Sequence, residues 1–135
     1  MSDLYLEIVT PNKKVFSGQV KSIVAPGTEG YFGVLPRHAP LLASLAVGIV
    51  RAKVEDRNEQ KEFAASEGFL EVSPQKVTVI AEAAEESRDI DVQRAEAAKD
   101  RALKRISEGR ENWNVSRAQA ALLRALNRLR LAGKS

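Results

Sequence analysis

Two hydrophobic rhythms divide the chain. Up to about residue 86, apolar residues recur at every second position in short runs. From Ile90 onward they recur about every 3.6 residues. Leu4, Leu6 and Ile8 alternate with Tyr5, Glu7 and Val9, a strand pattern ended by Pro11-Asn12. Val15-Phe16 is a short run turned by Ser17-Gly18, and residues 20–25 form a second β-rich run stopped by Pro26-Gly27. Residues 49–54 alternate again. A polar loop at 56–59 separates them from 61–66, and 69–72 with 77–81 make a last hairpin around Pro74-Gln75. Short strands with turn signals at this spacing predict an antiparallel β-sandwich or flattened barrel over residues 1–86. Its expected core draws on Leu6, Ile8, Phe16, Val24, Leu42, Leu45, Val50, Phe63, Phe69, Leu70, Val77 and Val79.

The second half, 87–135, predicts a helical hairpin. Residues 94–105 overlie residues 117–128, with eight of twelve positions identical. Ala95, Ala98, Ala102 and Ile106 share one helical stripe, and Ala118, Leu122, Ala125 and Leu129 share another. Asp91 is placed to cap the first helix and Gly109 to end it; Asn112 or Asn114 can begin the second. A connector of roughly 109–114 is short, so the helices are expected to pack antiparallel. The fold class is thus α+β, a sandwich followed by an antiparallel two-helix hairpin.

Composition narrows the chemistry. Hydrophobic residues make up 44% and charged residues 29%, which favours a folded protein over a disordered one. With no cysteine and a single histidine, His38, the chain offers no disulfide, no thiol nucleophile and no basis for a zinc site or a histidine triad. No apolar run approaches the ~20 residues that span a bilayer. Met1-Ser2-Asp3 carries no basic-then-apolar leader, so a soluble chain is expected, reaching any membrane through a partner. No residue set in the sandwich supplies nucleophile, base and oxyanion donor together, which argues against an enzyme.

Charge changes the picture further. Residues 1–86 hold 9 Lys/Arg against 12 Asp/Glu, a net of −3, whereas 87–135 hold 12 against 6, a net of +6. At about 100° per residue, Arg94, Arg101 and Arg105 fall in one narrow arc beside the apolar stripe, and Arg117, Arg124 and Arg128 repeat that offset with the same hand. Antiparallel packing therefore gathers both rows on one surface, Arg94 beside Arg128 and Arg101 near Arg124. Such a face is either an ordinary solvated one or a site for a polyanion such as a triphosphate. No glycine-rich phosphate loop with its lysine is present, so a nucleotide would be sensed rather than cleaved. Nucleic acid is disfavoured, because Trp113 is the one aromatic residue of the helical half. Residues 27–42 mix glycine and proline with aromatics. They read as a tight crossover with tucked side chains, or as a docking surface exposing Tyr31, Phe32, Leu41 and Leu42.

These stretches together resemble the epsilon subunits of bacterial F-type ATP synthases. The resemblance rests on Thr10-Pro11, residues 30–40, Gly68-Phe69-Leu70-Glu71-Val72, Val77-Thr78-Val79 and Ile90-Asp91-Val92-Gln93-Arg94-Ala95. It implies a ten-stranded sandwich with a two-helix hairpin, in a non-catalytic central-stalk subunit at the cytoplasmic face of the cell membrane. The sandwich would dock on the gamma subunit and the c-ring through a loop holding Glu29, Tyr31, Phe32, His38, Leu41 and Leu42. The hairpin would lie folded down, or extend beside gamma into the alpha/beta hexamer and oppose ATP hydrolysis. Arg117, Arg124, Arg128 and Arg130 would then face an acidic segment of the beta subunit. Bacillus-type members carry the motif Ile/Leu-Asp-x-x-Arg-Ala, intact here at Ile90, Asp91, Arg94 and Ala95. The ATP site this implies adds Glu85, Arg101, Arg124 and Arg128, with ATP as a regulatory ligand favouring the folded form. The alternative is the same subunit without ATP sensing, its arginines serving the inhibitory contact alone. Two departures stand out: Arg37 and Glu67 replace usual glycines, so either carries strain if its φ is positive.

Overall fold

A computed structural model describes residues 4–54, 59–74 and 76–133. It separates into two units, Met1–Glu86 and Ser87–Ser135. The first holds nine strands among the described residues: β1 (Leu4–Val9), β2 (Lys14–Gly27), β3 (Gly30–Val34), β4 (Leu41–Leu45), β5 (Gly48–Val54), β6 (Glu59–Ala65), β7 (Gly68–Ser73), β8 (Lys76–Ala81) and β9 (Ala84–Glu86). The resemblance implied ten. Residues 56–58 of the expected polar loop and Gln75 of the last turn lie outside the described residues, and Glu59 already belongs to β6.

The strands run in the order β1-β8-β7-β4-β2-β5-β6-β9, with β3 also on β2 and β1 closing back onto β2. The 14-residue β2 therefore belongs to both layers. Its first half pairs with β1, Leu6 opposite Gly18, and its second half lies between β3 and β5, Val24 opposite both Gly33 and Arg51. Pairings are antiparallel except β1 with β8, which is parallel. Ser17-Gly18 was expected to turn the chain, and instead β2 runs through it, paired there with β1. Pro26-Gly27 was expected to stop the run, and β2 does end at Gly27. Pro26 lacks an N–H, and its carbonyl accepts from the Ala46 N–H at 2.9 Å.

Burial follows strand alternation. Leu4, Leu6 and Ile8 are buried on β1, with Val77, Val79 and Ala81 on β8 beside them. Phe16 packs tilted against Phe63, ring centroids 5.5 Å apart. Three expected core residues are outside: Val24, Phe69 (52% exposed) and Leu42 (70% exposed). The reason is parity. Leu70 and Val72 face inward, so Phe69 cannot share their face, and Ile23 with Ala25 turns Val24 outward in the same way. Ala43 pairs with inward-facing Leu70, which sends Leu42 out beside Glu71.

Glu7 ties β1 to both its neighbours, at 2.9 Å from Lys14 on β2 and 3.3 Å from Lys76 on β8. The hydrogen bond from Lys14, then that from Lys76, holds its carboxyl below the ordinary value. Glycine is required at Gly68, where a Cβ would sit 1.9 Å from the Ile80 carbonyl oxygen. Arg37 is, among the described residues, the one non-glycine residue with positive φ, at 68°. The strain foreseen at 37 is therefore present; that foreseen at Glu67 is not, because the tight approach falls on its neighbour.

The second unit opens with a short 3-10 turn (Ser87–Asp89), followed by α1 (Val92–Glu108) and α2 (Val115–Leu131), 17 residues each. Ala95 and Ala102 are buried on α1, with Ala98 and Ile106 half-buried. Ala118, Ala125 and Leu129 are buried on α2, with Leu122 half-buried. Asn127 is buried too, a polar position the stripe does not announce.

Three outcomes test this account. Gly68→Ala should cost about 3 kcal/mol or more, read from urea unfolding, because backbone rather than a mobile side chain blocks the methyl. Arg37→Gly should raise stability by about 1 kcal/mol with an unchanged denaturant slope, since the left-handed penalty exceeds the added chain entropy. Glu7 has a depressed folded pKa, so its contribution exists above the unfolded pKa and disappears as pH falls through the folded one. Glu7→Gln should accordingly lower stability at neutral pH and match the parent protein at strongly acid pH in parallel denaturation series.

Candidate functional site

The sequence-predicted nucleotide residues lie at the start of α1 and along α2. The Asp91 carboxylate accepts the Arg94 N–H at 3.0 Å, with Asp91 in an extended backbone conformation. That bond satisfies one of the donors a helix start leaves open, and it fixes the first turn on which Arg94 stands. Ile90, just before the cap, is buried. The second helix repeats the device: the Asn114 side-chain oxygen accepts the Arg117 N–H at 3.0 Å. Of the two asparagines proposed to begin α2, Asn114 does so.

Gly109 closes α1 at φ 82°, and its N–H donates to the Arg105 carbonyl at 3.2 Å. Its own carbonyl accepts from the N–H groups of Asn112 (3.3 Å) and Trp113 (3.1 Å). A connector folded on itself in this way cannot run back along the ~25 Å length of a 17-residue helix, so α1 and α2 are antiparallel. Their contact is lined by alanine at 95, 102, 118 and 125. Small side chains there permit a close approach, and the rows beside the seam come close with it.

The six row arginines differ in their surroundings. Arg94, Arg101 and Arg117 are exposed and, among the described residues, have no carboxylate within 4 Å. Arg124 and Arg128 are half-buried, and each has a polar or charged neighbour. Arg105 lies over the Trp113 ring, 4.3 Å from its centroid. The Trp113 indole N–H donates to the Glu108 carboxylate at 2.5 Å. This turn cluster was not expected from the sequence, where Trp113 figured only as a scarce aromatic. Arg130 is exposed on the last turn of α2. Glu85 lies on β9, in the first unit.

The expected docking residues divide. Tyr31, Leu41 and Leu42 are exposed, as the docking reading requires. Tyr31 is also anchored, its hydroxyl accepting the Ile49 N–H at 2.9 Å. Phe32 is instead half-buried and packs against the sandwich core, because its parity on β3 matches that of buried Val34. Glu29 and His38 are exposed, and His38 Nδ1 lies 2.8 Å from the Ala39 carbonyl oxygen. Leu35, Phe69 and Ile80 are exposed as well. Strand register would have found the last two, since Phe69 pairs with Ile80 on the outer face. Among the described residues no cluster of His, Cys, Asp and Glu could hold a metal ion, and no helix is long and apolar enough to cross a membrane.

Comparison with known proteins agrees with this arrangement. Residues 3–87 match the family described as ATP synthase, Delta/Epsilon chain, beta-sandwich domain, and residues 88–133 match its long alpha-helix domain. The chain is 54% identical over 129 residues to the ATP synthase epsilon chain of Pelotomaculum thermopropionicum, covering 96% of this chain and 95% of that one. It is 47% identical over 135 residues to the epsilon chain of Halalkalibacterium halodurans, covering 99% and 100%. Its fold is similar to that of a chain in the Euglena gracilis mitochondrial ATP synthase, OSCP/F1/c-ring, with a TM-score of 0.80 at 21% identity over 98% of this chain and 82% of that chain. Matched in both units and along almost its whole length, the chain belongs to the family of bacterial ATP synthase epsilon chains.

Proposed function

We propose that this chain is a non-catalytic regulatory subunit of the ATP synthase central stalk, and that ATP closes its helical hairpin. The sandwich docks on the gamma subunit and the c-ring, and the chain is held peripherally at the cytoplasmic face of the cell membrane through those partners. In the open form the hairpin reaches the alpha and beta subunits, and Arg117, Arg124, Arg128 and Arg130 meet acidic groups of beta to oppose hydrolysis. In the closed form Arg94, Arg101, Arg124 and Arg128 hold the ATP phosphates. Asp91 fixes the helix start beneath them, and Ile90 and Ala95 complete the motif. The single observation that carries the reading is the capped first turn of α1. There Asp91 and Arg94 stand at the end of an antiparallel hairpin that returns Arg124 and Arg128 to the same end.

Two properties support sensing over cleavage. The phosphate-holding groups are arginines on helix surfaces, which bind anions through paired N–H donors and hold their charge at any working pH. No glycine-rich phosphate loop with its lysine accompanies them. The switch needs no more than a differential affinity: guanidinium groups satisfied by phosphate in one form and by carboxylates in the other.

Calorimetric titration of the full chain with ATP should give saturable one-site binding, and Arg94→Ala should weaken it about tenfold or more, the worth of one charge-assisted hydrogen bond. Arg94→Ala combined with Arg124→Ala should abolish binding at millimolar ATP while leaving the circular dichroism spectrum unchanged. A folded parent protein with no saturable heat at millimolar ATP would remove the sensor and leave the inhibitory contact as the role of the arginines.

A further inference from the structure

The 23-residue repeat reaches further than the twelve aligned positions. Asp91 corresponds to Asn114, Val92 to Val115 and Arg94 to Arg117, and both caps make the same bond at the same length. By this symmetry the two ends of the hairpin start alike: Arg94, Arg124 and Arg128 at the open end, Arg117, Arg101 and Arg105 at the turn end. They differ at the residue before the cap. At the open end it is Ile90, which is buried. At the turn end it is Trp113, which carries Arg105 over its ring and donates its indole N–H to Glu108.

Those two contacts link the connector, one residue before the Asn114 cap of α2, to the last turn of α1. Arg105 and Glu108 stand on α1; Trp113 adjoins the Asn114 cap, and its backbone N–H is held by Gly109. If the helices swing apart, the connector must extend, and the ring leaves both partners. The stacked guanidinium lies against an aromatic face, whose electron-rich surface attracts the charge. We propose that Trp113, with Arg105 and Glu108, is a built-in latch that favours the closed hairpin independently of any nucleotide. The inference deepens the reading of a hairpin that opens and closes, and it is separate from the identity of the ligand that closes it.

The chain has no cysteine, so a labelled pair can be introduced cleanly. Glu96→Cys and Leu126→Cys are exposed positions on α1 and α2, away from the arginine rows. Spin labels on this pair in the full chain, without nucleotide, report short distances for closed hairpins and long ones for open. Trp113→Ala and Arg105→Gln should each lower the ratio of short to long distances about two- to fivefold, the worth of an exposed cation–π contact. Trp113→Phe should fall between, keeping the ring face but losing the indole donor. Helix content by circular dichroism should not change. If the open form is too rare for the labels, amide exchange at the buried Ala102 and Ala118 positions should accelerate by the same factor. Unchanged distances together with unchanged exchange in both Trp113→Ala and Arg105→Gln would overturn the latch. Because no ATP is present, failure of ATP binding in the separate titration bears on the nucleotide reading alone.

Discussion

An alanine seam that draws like charges together is the constraint from which the behaviour of the helical unit follows. Four alanines, at 95, 102, 118 and 125, are buried between α1 and α2. Helices packed on such small side chains approach to about 8 Å between axes, the short end of the usual range. Each row of arginines lies beside the seam, so closing the hairpin brings guanidinium groups within about 10 Å of one another. In water such a pair repels by roughly 0.4 kcal/mol, a small cost that several pairs multiply and a neighbouring anion reverses. Burial of the seam must outweigh that repulsion if the hairpin is to stay closed. A bound anion or a stacking contact would add to the closed side of that balance.

The two units differ in how much of them their sequences disclose. Helix ends were legible because single residues mark them: Asp91 and Asn114 cap, Gly109 terminates, and the alanines between repeat at helical spacing. Strand limits were less so. Ser17-Gly18 looks like a break, yet β2 passes through it, whereas Pro26-Gly27 does end the strand, because a strand's continuity is decided by its neighbours as well as by its own residues. Adjacent apolar residues were a second source of error. Phe69 and Leu70 are equally hydrophobic, and only the register against Ile80 and Val79 says which one faces in. Arg37 was legible only through the resemblance, which puts glycine at that position; the same signal pointed to Glu67, where φ is not positive. For the candidate site, the cap and the arginine spacing could be read off, but the partners of Trp113 could not. Whether a turn aromatic meets a cation eight residues away and a carboxylate five residues away depends on connector geometry that no periodicity encodes.

The sandwich solves a different problem. An open sheet leaves its edge strands unpaired, and this one closes on itself: β1 pairs with β2 on one side and β8 on the other, with Glu7 reaching a lysine on each. Its exposed apolar residues, Leu42, Phe69 and Ile80, stand on the outer face of strands whose inner faces are fully committed to the core. Exposing them gains nothing for the isolated fold, and contiguous apolar surface of this kind is what a stalk protein would present to a partner. The strain at Arg37 sits in the neighbouring turn, at an exposed position where glycine would be easier to accommodate.

The arginines of α2 stand in two proposed roles, and the two exclude each other in any one molecule at any one moment. Arg124 and Arg128 are proposed to neutralise phosphates in the closed form or beta carboxylates in the open one, and one hairpin adopts one form at a time. Binding linkage then requires reciprocity: whatever factor ATP takes from the affinity of the hairpin for beta, beta takes from the affinity for ATP. A latch at the turn enters the same balance from outside, because it contacts neither ligand and shifts both affinities only through the closed fraction. Tuning at Trp113 would thus change how much ATP is needed to hold the hairpin closed while leaving the phosphate contacts as they are.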